Sequence, residues 1–402
     1  MIPVSAESLP TRGFASIARR SPHQTTVAVM AFLTVVDLFA AQAILPALTR
    51  HYDVNAAAMG TAVNASTIGM ALASLIFARY TSSIDRRYGV ALSLAILAIP
   101  TALLAWAPNL TAFAALRFLQ GLCMAGAFTL TLAHLAEVTS GTRTTSAFAA
   151  YITGNVASNL LGRLMSATLV DTVGLSNSFQ AFAVLNVAGA LLAWLVIVPS
   201  RPMTSVKLTA GMMDALAAVR DERLRASFAI GSCILFAFVG TFTYVNFVLV
   251  SAPLSLDMMS VGFVYFVFLP SIVTTPLAGR IAERIGTRET ILAGFGLALV
   301  GLVGLLISSL AAVLIGLTLV GVGTFLAQAA ATGYVAKIAR LTDTSPAAAS
   351  GLYLAAYFLG GLFGSVVLGL VFDRWGWSAT VAGIAMALML ASLLAGQLRD
   401  PS

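Results

Sequence analysis

A helix needs about 20 consecutive apolar residues to cross the hydrocarbon of a bilayer, and this 402-residue chain offers such stretches almost from end to end. They fall near 26–48, 57–78, 90–107, 111–135, 147–170, 179–198, 226–250, 258–278, 290–309, 311–335, 347–371 and 378–396. Backbone groups left unpaired in lipid cost several kcal/mol each, so only helices and closed barrels can span. Barrel strands alternate polar and apolar residues in segments of about ten, and these stretches do not alternate. The expectation is an all-α integral membrane protein with twelve transmembrane helices.

Charge placement agrees with that reading. Charged residues make up 9% of the chain, against about 25% in a soluble domain. The net charge of +7 raises the question of nucleic acid. The charges, however, sit in short gaps between apolar stretches, so the expected surroundings are lipid and not nucleic acid. Basic loop residues mark the cytoplasmic side of a membrane protein. With the N-terminus inside, Arg50 and Arg374 lie outside, Arg117 and Arg163 lie within spans, and every other Lys and Arg of the 22 lies inside. Both termini are therefore expected in the cytoplasm. Residues 1–25 read as a basic tail, because the first apolar stretch is too long for a signal peptide and is interrupted by Asp37. Cys123 and Cys233 have neither metal-ligand spacing nor a disulfide framework and read as packing residues.

The chain repeats. The widest gap, 199–225, reads as a cytoplasmic linker between six-helix bundles at 26–198 and 226–397, with 398–402 a short tail. In the fifth stretch Tyr151, Gly154, Ser158, Gly162, Asp171 and Gly174 are matched by Tyr353, Ala356, Gly360, Gly364, Asp373 and Gly376 in the eleventh. Gly121 similarly matches Gly321, and the loop glycine Gly89 matches Gly286. A parallel repeat of six spans fits a two-bundle transporter plan. The small residues Gly154, Ser158 and Gly162 form a ridge, expected to let the two halves pack closely and rock.

Two segments carry more specific information. Between the eighth and ninth stretches stands Gly279-Arg280-Ile281-Ala282-Glu283-Arg284-Ile285-Gly286-Thr287-Arg288. In the fourth, Arg117-Phe118-Leu119-Gln120-Gly121 is followed by Gly126. Both resemble motifs of the major facilitator superfamily. The first is similar to its cytoplasmic loop, Gly-x-x-x-Asp/Glu-Arg-x-Gly-x-Arg. The second is similar to the Arg-x-x-Gln-Gly segment of its proton-coupled members. The matching first-half loop departs from the pattern, with Ser82 in the glycine position and Asp85, followed by Arg86, one residue early relative to Gly89. The resemblance implies two pseudo-symmetric bundles around a central cavity, a loop that latches one conformation through Gly279, Glu283, Arg284, Gly286 and Arg288, and transport by alternating access. The acid of such a loop is expected to cap a helix start and to pair with an arginine.

Buried charge then locates candidate site residues. An arginine deep in a membrane helix costs about 2.5–3.5 kcal/mol on insertion scales. Arg117, Gln120, Met124 and Phe128 share one helical stripe, expected to line the cavity. Asp37 is the carboxylate nearest the middle of any stretch. Poised between apolar burial and a nearby arginine, it can load and release a proton as the cavity alternates; a structural ion pair with Arg117 or Arg163 is the competing reading. Val36-Asp37 with Pro46 resembles the first-helix motif of drug–proton antiporters. Asn155, Asn159 and Arg163 lie one turn apart, and Gly-Asn…Gly-Arg in this helix resembles a subgroup of bacterial exporters. Tyr244, Asn246, Tyr265, Gln328, Tyr353 and Tyr357 are candidates for the second half's cavity wall.

No phosphate-binding loop, paired carboxylates or catalytic triad is present in the sequence, so no enzyme activity and no cofactor is expected. The expected function is proton-driven export of a small organic compound across a bacterial inner membrane by a monomer. An uncoupled facilitator, or a transporter of organic anions or lipids on the same fold, is the alternative.

Overall fold

The computed structural model describes residues 24–80, 83–138, 142–197, 199, 217–342 and 346–398. The basic tail and most of the expected linker lie outside these residues. The first span is a broken helix, α1 (Gln24–Ala43) followed by α2 (Leu45–Tyr52). The second is broken too, into α3 (Ala56–Val63) and α4 (Ala65–Tyr80), with Asn64 at the break. Then come α5 (Arg86–Leu103), α6 (Leu110–Val138), α7 (Thr142–Val173) and α8 (Leu175–Val196). The second half opens with α9 (Glu222–Val250). Its next span joins α10 (Met258–Val264) through a 3-10 turn to α11 (Leu269–Ile285). It ends with α12 (Thr287–Gly304), α13 (Leu310–Leu341) and α14 (Pro346–Ala395).

Ten helical stretches among the described residues are long and apolar enough to cross a bilayer. One of them, Ala348–Ala395, reverses at Gly376 and so supplies two spans. The 32-residue α7 is long enough as well, but Asn155, Asn159 and Arg163 lower its apolarity. Twelve crossings bring the chain back to the side on which it began.

Local chemistry fixes where the helices start and turn. Asn55, Asp85, Asp221 and Asp257 accept hydrogen bonds from backbone N–H groups of the helices they precede, satisfying donors that lipid or water would otherwise have to meet. Tight reversals fall at Gly174 and Gly376, with φ of 85° and 76°, a region that a side chain disfavours. These two glycines are repeat partners, so the two halves turn at equivalent places.

The repeat also governs packing, with one correction. The small-residue ridge of α7 packs within its own half: a Cβ on Gly154 or Gly162 would meet Ala28 or Val36 of α1. Its second-half counterpart behaves alike, Gly360 and Gly364 lying against Ser232 and Phe236 of α9. The ridge therefore holds each bundle together and is not the surface between bundles. Between the halves α7 instead presents Leu164 and Ala167 to Gly262 of α10. The loop glycines differ as well: Gly286 turns the chain at φ 97°, whereas Gly89 sits in the first turn of α5, its N–H bonded to the Asp85 carbonyl at 2.9 Å.

Candidate functional site

Asp37 and Arg117 meet inside the first bundle, not on a wall between bundles. Asp37 is 4% exposed and Arg117 1%. The arginine is held by four acceptors: Nε bonds the Val63 carbonyl at 2.9 Å, Nη1 bonds Gln120 Oε1 at 2.6 Å and the Asp37 backbone carbonyl at 3.1 Å, and Nη2 bonds Ser66 Oγ at 3.1 Å. Each bond to a charged group is worth about 1.5–3 kcal/mol, enough together to offset the insertion cost. The ion pair of the competing reading does not form: the Asp37 carboxylate takes part in none among the described residues. Its Oδ1 instead accepts from Thr101 Oγ1 at 3.2 Å and Gln120 Nε2 at 3.4 Å. Its Oδ2 has no partner among protein atoms.

Thr101 is the hinge of this cluster. Its hydroxyl accepts from Gln120 Nε2 at 2.6 Å and from Asn186 Nδ2 at 3.2 Å. It has one proton to give and two acceptors within reach, Asp37 Oδ1 and the Leu97 carbonyl at 2.8 Å. Sequence reasoning missed Thr101, Ser66 and Asn186. A buried asparagine in an apolar helix is as unusual as those in α7 and was the available signal.

A second cluster joins the two halves at the end of the molecule away from the termini. Arg163 is fully buried. It donates to Asn159 Oδ1 at 2.8 Å, to Gln42 Oε1 at 2.6 Å and, across the interface, to the Phe242 carbonyl at 3.2 Å. Its guanidinium lies 4.4 Å from the ring centre of Tyr265. Gln42 passes the network on to Asn64 Oδ1 at 2.7 Å. Asn64 Nδ2 then reaches Ser365 Oγ at 3.2 Å and Thr243 Oγ1 at 3.4 Å in the second half. Asn246 returns the link by donating to the Gln42 carbonyl at 3.0 Å, and its own Oδ1 accepts from the Tyr265 hydroxyl at 2.5 Å. Nearer the surface, Asp373 Oδ2 accepts from Ala57 N at 3.2 Å, in the first turn of α3, where a carboxylate suits the helix dipole. Gln42, Asn64 and Ser365 were not anticipated from sequence.

The other candidates separate. Met124 is fully buried in the apolar core, and Phe128 stands edge-on to Tyr151. Asn155 is half-buried on α7, one turn before Asn159. Tyr244 belongs to the closed end, its hydroxyl donating to the Ser365 carbonyl at 2.5 Å. Gln328, Tyr353 and Tyr357 form a different group towards the termini, with the Tyr353 hydroxyl on Gln328 Oε1 at 2.8 Å and the two tyrosine rings stacked. The six residues expected to form one wall thus form two groups.

The loop motifs are placed opposite to expectation. The irregular first-half loop supplies the helix cap, Asp85 accepting from Tyr88 N at 2.9 Å, while Arg86 is buried and donates to the Ile84 carbonyl at 2.9 Å. In the more regular second loop, Glu283 lies inside the last turn of α11, exposed alongside Arg284 and Arg288. The cap of α12 falls to Gly286. Gly279 has open space around it.

The same arrangement of helices is found in known transporters. The family model described as Major Facilitator Superfamily matches residues 27–343 and, again, 251–401. This chain belongs to the major facilitator superfamily. Among curated relatives, the chain is 25% identical over 369 residues to the uncharacterized MFS-type transporter YybF of Bacillus subtilis (strain 168), covering 91% of both chains. It is 26% identical over 367 residues to the inner membrane transport protein YnfM of Escherichia coli (strain K12), covering 91% of this chain and 87% of YnfM. Among solved structures, a bacterial homologue of the lysosomal transporter Spinster, inward-facing and unoccupied, superposes with a TM-score of 0.72 over 95% of both chains at 13% identity. The protein is thus a multi-pass secondary transporter, and the two clusters are features of a transporter built from two repeated bundles.

Proposed function

We propose that this facilitator-superfamily member couples proton movement to export of a small organic compound across the inner membrane, with Asp37 as the proton carrier. The observation that carries the reading is the half-satisfied carboxylate: Oδ1 is hydrogen-bonded and Oδ2 is buried without a protein partner. An ionised group left so is costly. A proton on Oδ2 neutralises the charge without disturbing the Arg117 bonds, because those bonds go to the backbone carbonyl of Asp37. The first-helix likeness to drug–proton antiporters supports the direction of transport.

A physical line runs from this carboxylate to the contact between halves. Arg117 holds the Val63 carbonyl and the Ser66 hydroxyl on either side of Asn64, and Asn64 bonds across the interface. Five residues beyond Asp37, Gln42 holds both Asn64 and Arg163. Protonation of Asp37 therefore removes the negative charge beside Arg117, the residue whose bonds flank the break in the second span that latches the two bundles. With the termini placed in the cytoplasm, as the basic loops indicate, the latched end is the outer one. Proton and substrate each bias the inward–outward equilibrium, and coupling is the difference in their affinities for the two states.

The charge balance favours a second reading of substrate class. Away from the helix ends, where Arg86 is buried, two arginines, Arg117 and Arg163, are buried with one aspartate, and Arg163 has no carboxylate partner among the described residues. That excess suits an organic anion. The test for both is transport by reconstituted protein under an imposed pH gradient, with panels of organic cations and anions. Asp37→Asn is expected to insert normally and lose gradient-driven flux; undiminished flux in that variant removes Asp37 from the mechanism. Unchanged affinity for every anion in Arg163→Ala ends the anion reading.

A further inference from the structure

Asp37 borders a small pocket that Arg117 and Gln120 of α6 also line and that is completed by Ala40, Ser166 of α7, and Ser178, Phe179 and Phe182 of α8. Its size is about that of one water molecule. Three polar atoms here are buried without a protein partner: Asp37 Oδ2, Ser166 Oγ and Ser178 Oγ. Both serines are 1% exposed. Buried hydroxyls usually find a partner in protein or in ordered water, and a polar pocket with three such groups meets the requirements of a water site. Arg117 is the charged group that faces Asp37, from α6. The other helices packed around the carboxylate present only neutral polar groups among the described residues: Thr101 from α5, Ser166 from α7, and Ser178 and Asn186 from α8.

Position gives the pocket a direction. Ser178 is the first buried residue after the exposed turn at 171–174 and the partly exposed start of α8. Its N–H bonds the carbonyl of Gly174, one helical turn away. The pocket thus lies between the carboxylate and the end of the molecule that the Arg163 and Asn64 network closes between the halves. It runs inside the first bundle and is independent of that closure.

We propose that Ser166 and Ser178 hold a water that carries protons between Asp37 and the outer face through the first bundle, on a route separate from the substrate cavity. The inference rests on Asp37 being the proton carrier. In each transfer the pocket water gives a proton to Asp37 Oδ2 and receives one from water at the Ser178 end, so one proton enters and the pocket water is regenerated. Return runs by the reverse steps. Such a route lets the carboxylate exchange protons with the outer face without passing through the contact between the halves.

Infrared difference spectroscopy of the purified full-length protein in lipid tests this with the proton itself as the probe. The protonated-carboxyl band is assigned by its loss in Asp37→Asn, and its kinetics are followed after a pH jump. Ser178→Val and Ser166→Ala are expected to slow the band's appearance about tenfold or more, as loss of a proton-transfer partner does. If the band is unchanged in Asp37→Asn, the proton-carrier reading itself fails. If the band is lost there but its kinetics are normal in both serine variants, Asp37 stands and the route is overturned. A band suppressed by sodium at constant pH overturns the route in favour of a cation site. Folding of the variants is bypassed by a labelling measurement in vesicles of a Cys123→Ala, Cys233→Ala background. There Ser178→Cys is expected to react with a small water-borne thiol reagent from the same side as Ser176→Cys, which is exposed. Failure to react from that side also overturns the route.

Discussion

Arg117 binds the backbone carbonyl of Asp37 at 3.1 Å and leaves its carboxylate to Thr101 and Gln120. The arginine therefore positions the helix that bears the acid without neutralising the acid. That separation lets the carboxyl change its charge while α1, α3 and α4 stay tied to α6.

The fork of Arg117 is what ties them, so its geometry should matter as much as its charge. Lysine carries a compact ammonium on a flexible stem and cannot reproduce a planar array of donors. Arg117→Lys keeps the charge but is expected to lose at least one of the bonds to Val63, Ser66, Gln120 and the Asp37 carbonyl. Each acceptor left buried and unpaired costs about 1–3 kcal/mol. Thermal unfolding of the purified protein in detergent should show Arg117→Lys clearly destabilised. A melting temperature equal to that of the unaltered protein would mean that the fork is dispensable.

Close helix contact supplies the next expectation. A Cβ on Gly121 would run into the backbone carbonyl of Ser66 on α4, the residue whose hydroxyl Arg117 grips. Gly121→Ala must push α6 away from α4, and overpacking of this kind typically costs about 1–3 kcal/mol. Gly333, also helical, has nothing within 4 Å of its built Cβ. The expected outcome is a lower unfolding temperature and poor folded yield for Gly121→Ala, with no loss for Gly333→Ala. Equal behaviour of the two would show that the α4–α6 contact yields easily.

These contacts also show what could be read in the chain before its fold was known. Span number, helical character and the two-fold repeat follow from hydrophobic length and from recurring small residues, because lipid permits few alternatives. Asp37, Arg117 and Gln120 could be singled out because each is costly in oil. Their direction could not: Arg117 was expected to face a cavity between bundles, and it points to the breaks in neighbouring helices. A stripe of side chains gives a helix face but not the neighbour that covers it. Neutral polar partners such as Thr101, Ser66 and Gln42 carry little insertion cost, and they gain meaning only when the fold brings a charge beside them. The loop motif misled for a related reason. Spacing placed Glu283 as the capping acid, but α11 continues to Ile285, and capping went to the less regular loop, where Asp85 directly precedes its helix.

The contact between halves yields the most direct test of conformation. Arg163 gives one charge-assisted bond to the Phe242 carbonyl and orders Gln42, which holds Asn64 against Ser365 and Thr243. A bond of this kind is worth about 1.5–3 kcal/mol, so its loss should shift the population of the opened outer end by about ten- to a hundredfold. Spin labels on Asn177→Cys and Ser251→Cys, both exposed at that end and on opposite halves, report the separation in a Cys123→Ala, Cys233→Ala background. Arg163→Ala is expected to add a longer distance to the distribution. Arg163→Lys, which retains charge without the fork, should fall between the two. The stacked Tyr353 and Tyr357 lie towards the termini and away from this contact, so Tyr357→Phe should leave the distances as they are. A distribution unmoved by Arg163→Ala would assign the closure to the surrounding apolar packing of Phe242, Tyr265 and Phe268 and not to the arginine that crosses it.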